Sequence, residues 1–188
     1  MENHYFIACA LSDQAKEALH NVRQSYLNED WFKKIPHQAD LHVTLSFLGA
    51  VSEEQLNIVS EALDKRIEAC SAFPLTFSHI DTFGPDASPR VWWAGSEDSD
   101  ELTTLYRQVQ DAVRLIDKGE NRPFRPHATL AKKWKGEPGF VYKGPINPIN
   151  DTVQEVTIYE INPGDSPMYT VYQSFKLKES GENNGTAD

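Results

Sequence analysis

The pattern His-x-Thr-Leu occurs twice in this chain, within LHVTLSFLG and again within RPHATLAKK. Each copy lies in a short apolar run, which is typical of a β-strand. Side chains alternate between the two faces of a strand, so His42 and Thr44 share one face, as do His127 and Thr129. A core strand would usually carry Val or Ile at the histidine positions. We therefore predict two strands, here called the HxT strands, that each bury one face and present an imidazole beside a hydroxyl on the other.

Helix and strand patterns surround the two HxT strands. Apolar residues recur at helical spacing after Ser12, after Ser52 and over residues 98–117. The HxT strands alternate in polarity and the chain closes on a predicted hairpin, which favours antiparallel pairing with one solvated face. We predict an α+β fold of two similar lobes, with antiparallel sheets and helices packed outside. The other predicted strands lie at residues 5–10, 73–80, 90–94, 153–161 and 169–177, with a loop at 31–40 and a turn-rich linker at 135–150.

Length and composition predict one globular unit. The chain has 188 residues, of which 39% are hydrophobic, and its formal net charge is −10. We interpret residues 1–178 as a single two-lobed domain and the polar residues 179–188 as a disordered tail. The acidic balance excludes a general nucleic-acid coat protein, because the affinity of such a protein depends on many phosphate contacts.

The ends and the cysteines indicate where such a protein would work. The first residues carry no basic segment, and their apolar run is too short for a signal peptide or a spanning helix. Cys9 and Cys70 lack metal-ligand spacing and are predicted to be buried thiols in a reducing cytoplasm. No feature signals oligomerisation. We therefore expect a cytoplasmic monomer without a membrane partner.

Two imidazoles and two hydroxyls form a set that suits chemistry at phosphorus. Histidine titrates near neutral pH, so one ring can accept a proton from water while the other donates a proton to a leaving oxygen. Threonine hydroxyls can donate to phosphoryl oxygens and hold them in place. An in-line displacement needs the base and the acid on opposite sides of phosphorus. A phosphodiester is the substrate class that uses all four side chains.

The neighbourhood of the second copy is basic and aromatic. Arg125 and Lys132 flank the motif, with Phe124 and Trp134 beside them. Such a surface suits a nucleotide phosphate and a stacked base, so we interpret these four residues as substrate-binding. Lysines and aromatic residues at 31–34 form a similar cluster before the first copy. The alternative is that the charges form a solvated rim and the aromatic rings belong to the core.

Other catalytic classes lack their sequence signatures. A zinc site usually needs three or four ligands, and no H-x-H, HExxH or cysteine cluster accompanies His42 or His127. The sequence contains no G-x-S-x-G elbow, which a serine hydrolase would need, and no P-loop, which is typical of ATP hydrolysis. We therefore expect no metal site.

With its duplicated H-x-T motif, the chain resembles the two-histidine (2H) phosphoesterase superfamily. Within that superfamily it resembles the bacterial RNA 2′,3′-cyclic phosphodiesterases of the LigT/ThpR group, formerly called 2′-5′ RNA ligases. LHVTLSFLG resembles the first motif of that group and RPHATLAKK the second, although Lys132 stands where Arg is frequent. The resemblance covers about residues 4–177.

The resemblance implies a fold, an activity and residue roles. It implies two lobes related by a pseudo-twofold axis around a central cleft, with no metal or nucleotide cofactor. His127 would be the proton acceptor that activates water, and His42 the proton donor to O3′, so that a 2′-phosphate remains. Thr44 and Thr129 would bind phosphate oxygens. Substrates would be RNA ends or small 2′,3′-cyclic nucleotides. ATP-independent 2′-5′ ligation and a non-catalytic module that binds nucleotides or RNA ends stay as alternatives.

Overall fold

The computed structural model describes residues 3–181, so most of the predicted tail at 179–188 lies outside the described residues. The strands of this part of the chain are β1 His4–Ala10, β2 Phe32–Lys34, β3 His42–Ala50, β4 Phe73–Phe83, β5 Val91–Ser96, β6 His127–Trp134, β7 Gly144–Val153, β8 Glu155–Ile161 and β9 Tyr169–Lys176. The helices are α1 Asp13–Tyr26, α2 Glu53–Ile67 and α3 Asp100–Val113.

The two HxT strands, β3 and β6, lie side by side in the middle of one antiparallel sheet. The strand order is β7-β4-β5-β6-β3-β1-β8-β9, and the short β2 pairs with β6. Each half of this order therefore has four strands, with its HxT strand innermost, and β2 is a fifth strand in the half that contains β6. The halves meet through a single register pair, Val43 opposite Ala128. The predicted α+β class and antiparallel pairing are confirmed.

Two helices cross between the halves. Helix α1 packs against β6 and β7, whereas α3 packs against β3. Buried Arg23 of α1 donates through Nη1 to the carbonyl oxygen of Leu130 at 3.3 Å. Buried Gln110 of α3 donates through Nε2 to the carbonyl oxygen of Leu45 at 3.0 Å. Each acceptor is the Leu that follows Thr in the HxT motif of the opposite half. A buried side chain from the other half therefore bonds the backbone of each HxT strand at the equivalent position.

The helices begin where the sequence predicts. The Ser12 hydroxyl accepts from the Ala15 amide and caps α1. Ser52 and Gln55 form a reciprocal capping box at the start of α2. No helix within residues 3–181 is long and apolar enough to span a membrane.

Three local predictions are wrong. The predicted loop at 31–40 contains β2, and the predicted linker at 135–150 contains most of β7. Pro145 and Pro148 indicate turns, but β7 is an edge strand that pairs only with β4. An edge strand tolerates proline, because the missing N–H donor can be on the side that has no partner strand. Cys9 is buried as predicted, whereas Cys70 is partly exposed in the turn after α2.

Candidate active site

The four HxT side chains lie together on one face at the centre of the sheet. Around the Val43–Ala128 pair, the antiparallel register brings them into two cross-strand pairs, His42 with Thr129 and Thr44 with His127. Side chains directly opposite one another have Cβ atoms about 4.5–5.5 Å apart, and diagonal neighbours lie about 7–8 Å apart. The two imidazoles therefore occupy one diagonal of a small rectangle, and the two hydroxyls occupy the other.

The His42 ring is fixed by hydrogen bonds at both nitrogens. Its Nδ1 lies 2.7 Å from the carbonyl oxygen of Asp40, and its Nε2 lies 2.8 Å from the Thr44 hydroxyl oxygen. A carbonyl oxygen only accepts, so Nδ1 carries a hydrogen, and Nε2 of the neutral ring accepts from Thr44. The ring packs on Phe6 and Tyr169, with centroid distances of 4.7 and 5.5 Å. Its reactive nitrogen thus points to the face that carries Thr44.

The His127 ring is held by the same kind of bond. Its Nδ1 donates to the carbonyl oxygen of Arg125 at 2.7 Å. Phe83 and Trp93 pack on the ring, with centroid distances of 5.0 and 5.5 Å. The neutral ring therefore presents the lone pair of Nε2 on the shared face. A nitrogen in this state can accept a proton.

Burial keeps both imidazoles neutral near pH 7. The pKa of His42 is lowered to about 4, chiefly by desolvation; the hydrogen bond to the Asp40 carbonyl opposes this shift, and the nearby His127 and Lys132 add to it. Desolvation also lowers the pKa of His127. An anion bound between the rings would oppose both shifts, because an opposite charge favours the protonated form.

The low pKa of His42 predicts a pH dependence of stability. In the unfolded chain this histidine takes up a proton near pH 6.5, whereas in the folded protein it does so only near pH 4. Between these values the unfolded state binds more protons, so the free energy of unfolding should fall as the pH falls. The contribution of one group is at most about 1.4 kcal/mol per pH unit.

Urea denaturation at pH values from about 4 to 7 measures this effect. The His42→Gln variant lacks the titrating group and should lose stability less steeply than the wild type over this range. Equal slopes for the two proteins would show that His42 is not desolvated in the folded state.

A cavity opens on each side of the HxT rectangle. The first, of about 210 Å³, lies beside His42 and is lined by Phe6, Phe47, Lys132 and Tyr169 among others. The second, of about 560 Å³, lies beside His127 and is mostly apolar, with Arg90, Arg122 and Arg125 at its walls. Thr44 lines both cavities. A group bound over the rectangle would therefore have room for substituents on two sides.

The structure brings most of the predicted substrate-binding residues to these cavities. Lys132 lines the first, and Phe124 and Arg125 line the second. Phe124 stacks on Tyr106 with ring centroids 4.1 Å apart. Trp134 lies in neither cavity, because its ring packs on Phe32 of β2 and belongs to the edge of the core. Its position favours the core alternative over contact with a substrate.

Asp40 and Tyr169 are site residues that the sequence analysis did not identify. The buried Asp40 carboxylate accepts from the backbone amides of Met168 and Tyr169 at 2.8 and 3.2 Å. It thereby holds the start of β9 against the His42 cavity. Asp40 could have been noticed as a carboxylate two residues before the histidine. Tyr169 follows no motif, since its place is set by long-range pairing.

The predicted lack of a metal site can be compared with the side-chain geometry. Among residues 3–181, no group of three or more His, Cys, Asp or Glu side chains is arranged to hold a metal ion.

The family of the chain follows from its similarity to known proteins. A family model described as LigT like phosphoesterase matches residues 10–93. An RNA 2′,3′-cyclic phosphodiesterase of Bacillus subtilis is 31% identical over 179 residues, which cover 93% of this chain and 96% of that protein. This chain belongs to the LigT-like phosphoesterase family. A relative of the same name from Geobacillus stearothermophilus is also 31% identical, but the match spans only 57% of its length and 93% of this chain.

Solved structures show the same LigT fold. E. coli LigT complexed with 3′-AMP has a TM-score of 0.82 at 23% identity, covering 94% of this chain and 99% of that one. The structure of TT0787 from Thermus thermophilus has a TM-score of 0.79 at 25% identity, with the same coverage. The resemblance and the LigT-like architecture predicted from the two motifs are confirmed.

Proposed function

We propose that this LigT-like protein hydrolyses the 2′,3′-cyclic phosphodiester end of RNA to a 2′-phosphomonoester, as a cytoplasmic monomer without a metal or other cofactor. One observation carries the proposal: the sheet places two imidazoles on one diagonal and two hydroxyls on the other. This arrangement puts a base and an acid on opposite sides of a group that the hydroxyls can hold. The names of the two bacterial relatives support this substrate class.

The reaction we propose is a single displacement at phosphorus. Nε2 of His127 accepts a proton from water as the water oxygen bonds to phosphorus. The bond from phosphorus to O3′ breaks, and Nε2–H of His42 gives its proton to that oxygen. The balance requires His42 to be protonated beforehand. The anionic substrate would raise its pKa from the low value of the free protein, and binding therefore loads the acid.

The direction of attack fixes where the ribose would lie. O3′ leaves on the side of His42, so the terminal ribose would occupy the cavity of about 210 Å³. Thr44 and Thr129 would donate to the non-bridging oxygens, and Lys132 would add a positive charge at the wall of that cavity. Water would approach from the side of His127.

The test is incubation of the purified protein, with EDTA present, with an oligoribonucleotide that ends in a 2′,3′-cyclic phosphate. We expect a product with a 2′-phosphate and none with a 3′-phosphate, which chromatography can separate. A 3′-phosphate product would mean that O2′ leaves and would contradict the orientation. Binding of the end without turnover would favour the alternative of a non-catalytic module. Loss of turnover in EDTA would contradict metal independence.

Substitution of either threonine should lower the activity less than substitution of either histidine. Thr44→Val or Thr129→Val removes one hydrogen bond to a charged group, worth about 1.5–3 kcal/mol, so kcat/KM should fall roughly 10- to 150-fold. Thr44→Val should be the more severe, because the Thr44 hydroxyl also bonds His42 Nε2. The exposed Thr104→Val on α3 is the matched control. Steady-state kinetics with the cyclic phosphate measures the effect. Unchanged kcat/KM in both variants would show that neither threonine binds the phosphate.

The larger cavity supports a second activity, ATP-independent 2′-5′ ligation. It has a volume of about 560 Å³ and lies on the side from which water would attack. A ribose hydroxyl bound there could replace water, give its proton to His127 and form a phosphodiester. Supplying an RNA with a free 5′-hydroxyl in the same assay tests this alternative, since ligation would yield a longer chain with a 2′-5′ bond.

A further inference from the structure

Two lysines oppose each other at the edge of the smaller cavity. The register of β2 and β6 places Lys34 directly across from Lys132. Cβ atoms of such pairs lie about 4.5–5.5 Å apart, and like charges in this position are destabilising. Among residues 3–181, neither ammonium group forms an ion pair with a carboxylate. Within the described part of the protein, no carboxylate therefore offsets the repulsion between the two lysines.

The charge at this edge contrasts with the rest of the chain. The formal net charge is −10, yet Lys33, Lys34, Lys132 and Lys133 stand together on two paired strands. Burial and the charges of Lys34 and Lys133 lower the pKa of Lys132. By comparison, Lys143, which immediately precedes β7, is paired with Asp81 and Asp86. Unlike Lys143, the Lys34–Lys132 pair has no carboxylate partner among the described residues, so both charges are available to attract an outside anion.

The position of the pair suits a particular anion. Lys132 lines the same cavity as His42 and Thr129. Lys34 faces the same side of the sheet as Lys132, because directly opposed residues share a face. In the proposed orientation the terminal ribose fills this cavity. A nucleotide attached to the 5′ oxygen of that ribose would bring its own phosphodiester to the rim of the cavity.

We propose that the Lys34–Lys132 pair binds the phosphodiester on the 5′ side of the terminal nucleotide, so that the site acts on oligoribonucleotide ends in preference to 2′,3′-cyclic mononucleotides. The inference rests on the proposed function and deepens it by choosing between the two substrate classes. Polymer ends carry this second phosphate and cyclic mononucleotides lack it.

The experiment compares a 2′,3′-cyclic mononucleotide with a short oligoribonucleotide that ends in the same cyclic nucleotide. The test variant is Lys34→Gln, which leaves the proposed catalytic set intact. We expect it to raise KM for the oligonucleotide roughly 10-fold, the effect of losing one charged contact, and to leave the mononucleotide unaffected. The log–log dependence of kcat/KM on salt should also become shallower by about 0.7 for the oligonucleotide, the value for one single-strand phosphate contact.

Two further variants serve as controls. Lys65→Gln removes one exposed positive charge on α2 that lines neither cavity, and it should leave KM unchanged for both substrates. Arg90→Gln tests the opposite path for the strand, across the larger cavity. A KM effect on the oligonucleotide in Arg90→Gln but not in Lys34→Gln would overturn the inference.

The outcomes separate this inference from the proposed function. If the wild type hydrolyses both substrates equally well and Lys34→Gln changes neither, the proposed function stands and the inference is wrong. If the wild type hydrolyses neither substrate, both are wrong. A selective loss on the oligonucleotide in Lys34→Gln supports both.

Discussion

Replacing either His42 or His127 with Ala should lower kcat for a cyclic phosphodiester by about 10²–10⁴-fold, the range for losing acid or base assistance. Both rings are held by an Nδ1–H bond to a carbonyl oxygen two residues earlier, so Ala removes the proton-transfer atom without removing a main-chain bond. The double variant should be only slightly worse than either single variant, because the two groups act in one step. His4→Ala, an exposed histidine of β1, is the control.

The two histidine variants can be told apart by the leaving group. An aryl phosphodiester such as a 4-nitrophenyl ester releases a weakly basic oxygen that needs no proton donor. His42→Ala should therefore regain most of its activity with this substrate, whereas His127→Ala should stay slow. The opposite rescue would exchange the acid and base roles. Full activity of His42→Ala on the cyclic phosphate itself would contradict the paired mechanism.

Asp40→Ala should destabilise the fold and weaken substrate binding together. The carboxylate accepts two backbone amides, at Met168 and Tyr169, and both would lose a charged partner. Hydrogen bonds to charged groups contribute about 1.5–3 kcal/mol each, so we expect a loss of about 3 kcal/mol or more in the free energy of unfolding. Tyr169 packs on His42 and lines its cavity, so KM should rise as that wall loosens.

Urea denaturation and steady-state kinetics measure the two parts of this prediction. Asp40→Asn keeps one acceptor oxygen and should recover about half of the lost stability and part of the KM effect. A variant that folds less stably but binds substrate as well as the wild type would show that Asp40 has a structural role only. Asp40 is therefore expected to act as a positioning residue, through Tyr169 and not by touching the substrate.

The sequence predicts those features that depend on short stretches of chain. The HxT strands alternate in polarity over few residues, so β3 and β6 and the shared face of each motif are predicted correctly. Strand β7 is missed because Pro145 and Pro148 are local turn signals, while its strand character comes from pairing with β4. The position of Trp134 has a similar cause: its ring lies outside both cavities because β2 packs beside it, and that pairing is not visible in the local sequence.

The relative position of the two motifs also cannot be predicted from the residues within either one. No pattern within either motif sets the Val43–Ala128 register that places each histidine across from a threonine. The same holds for Asp40, whose partners lie far along the chain at the start of β9. Nor does the sequence indicate that Arg23 and Gln110 bond the leucine carbonyls of the opposite halves. Long-range geometry of this kind follows only from the folded chain.

The crossing of α1 and α3 has a consequence for the width of the cleft. Any hinge motion that spread the two halves would have to pull Arg23 from Leu130 and Gln110 from Leu45, and both bonds are buried. A buried polar group that loses its partner costs about 1–3 kcal/mol. The distance between the imidazoles is therefore set when the chain folds, and widening it would break both buried hydrogen bonds. In the proposed reaction, this distance would select the phosphorus centre without any closure of the two halves around it.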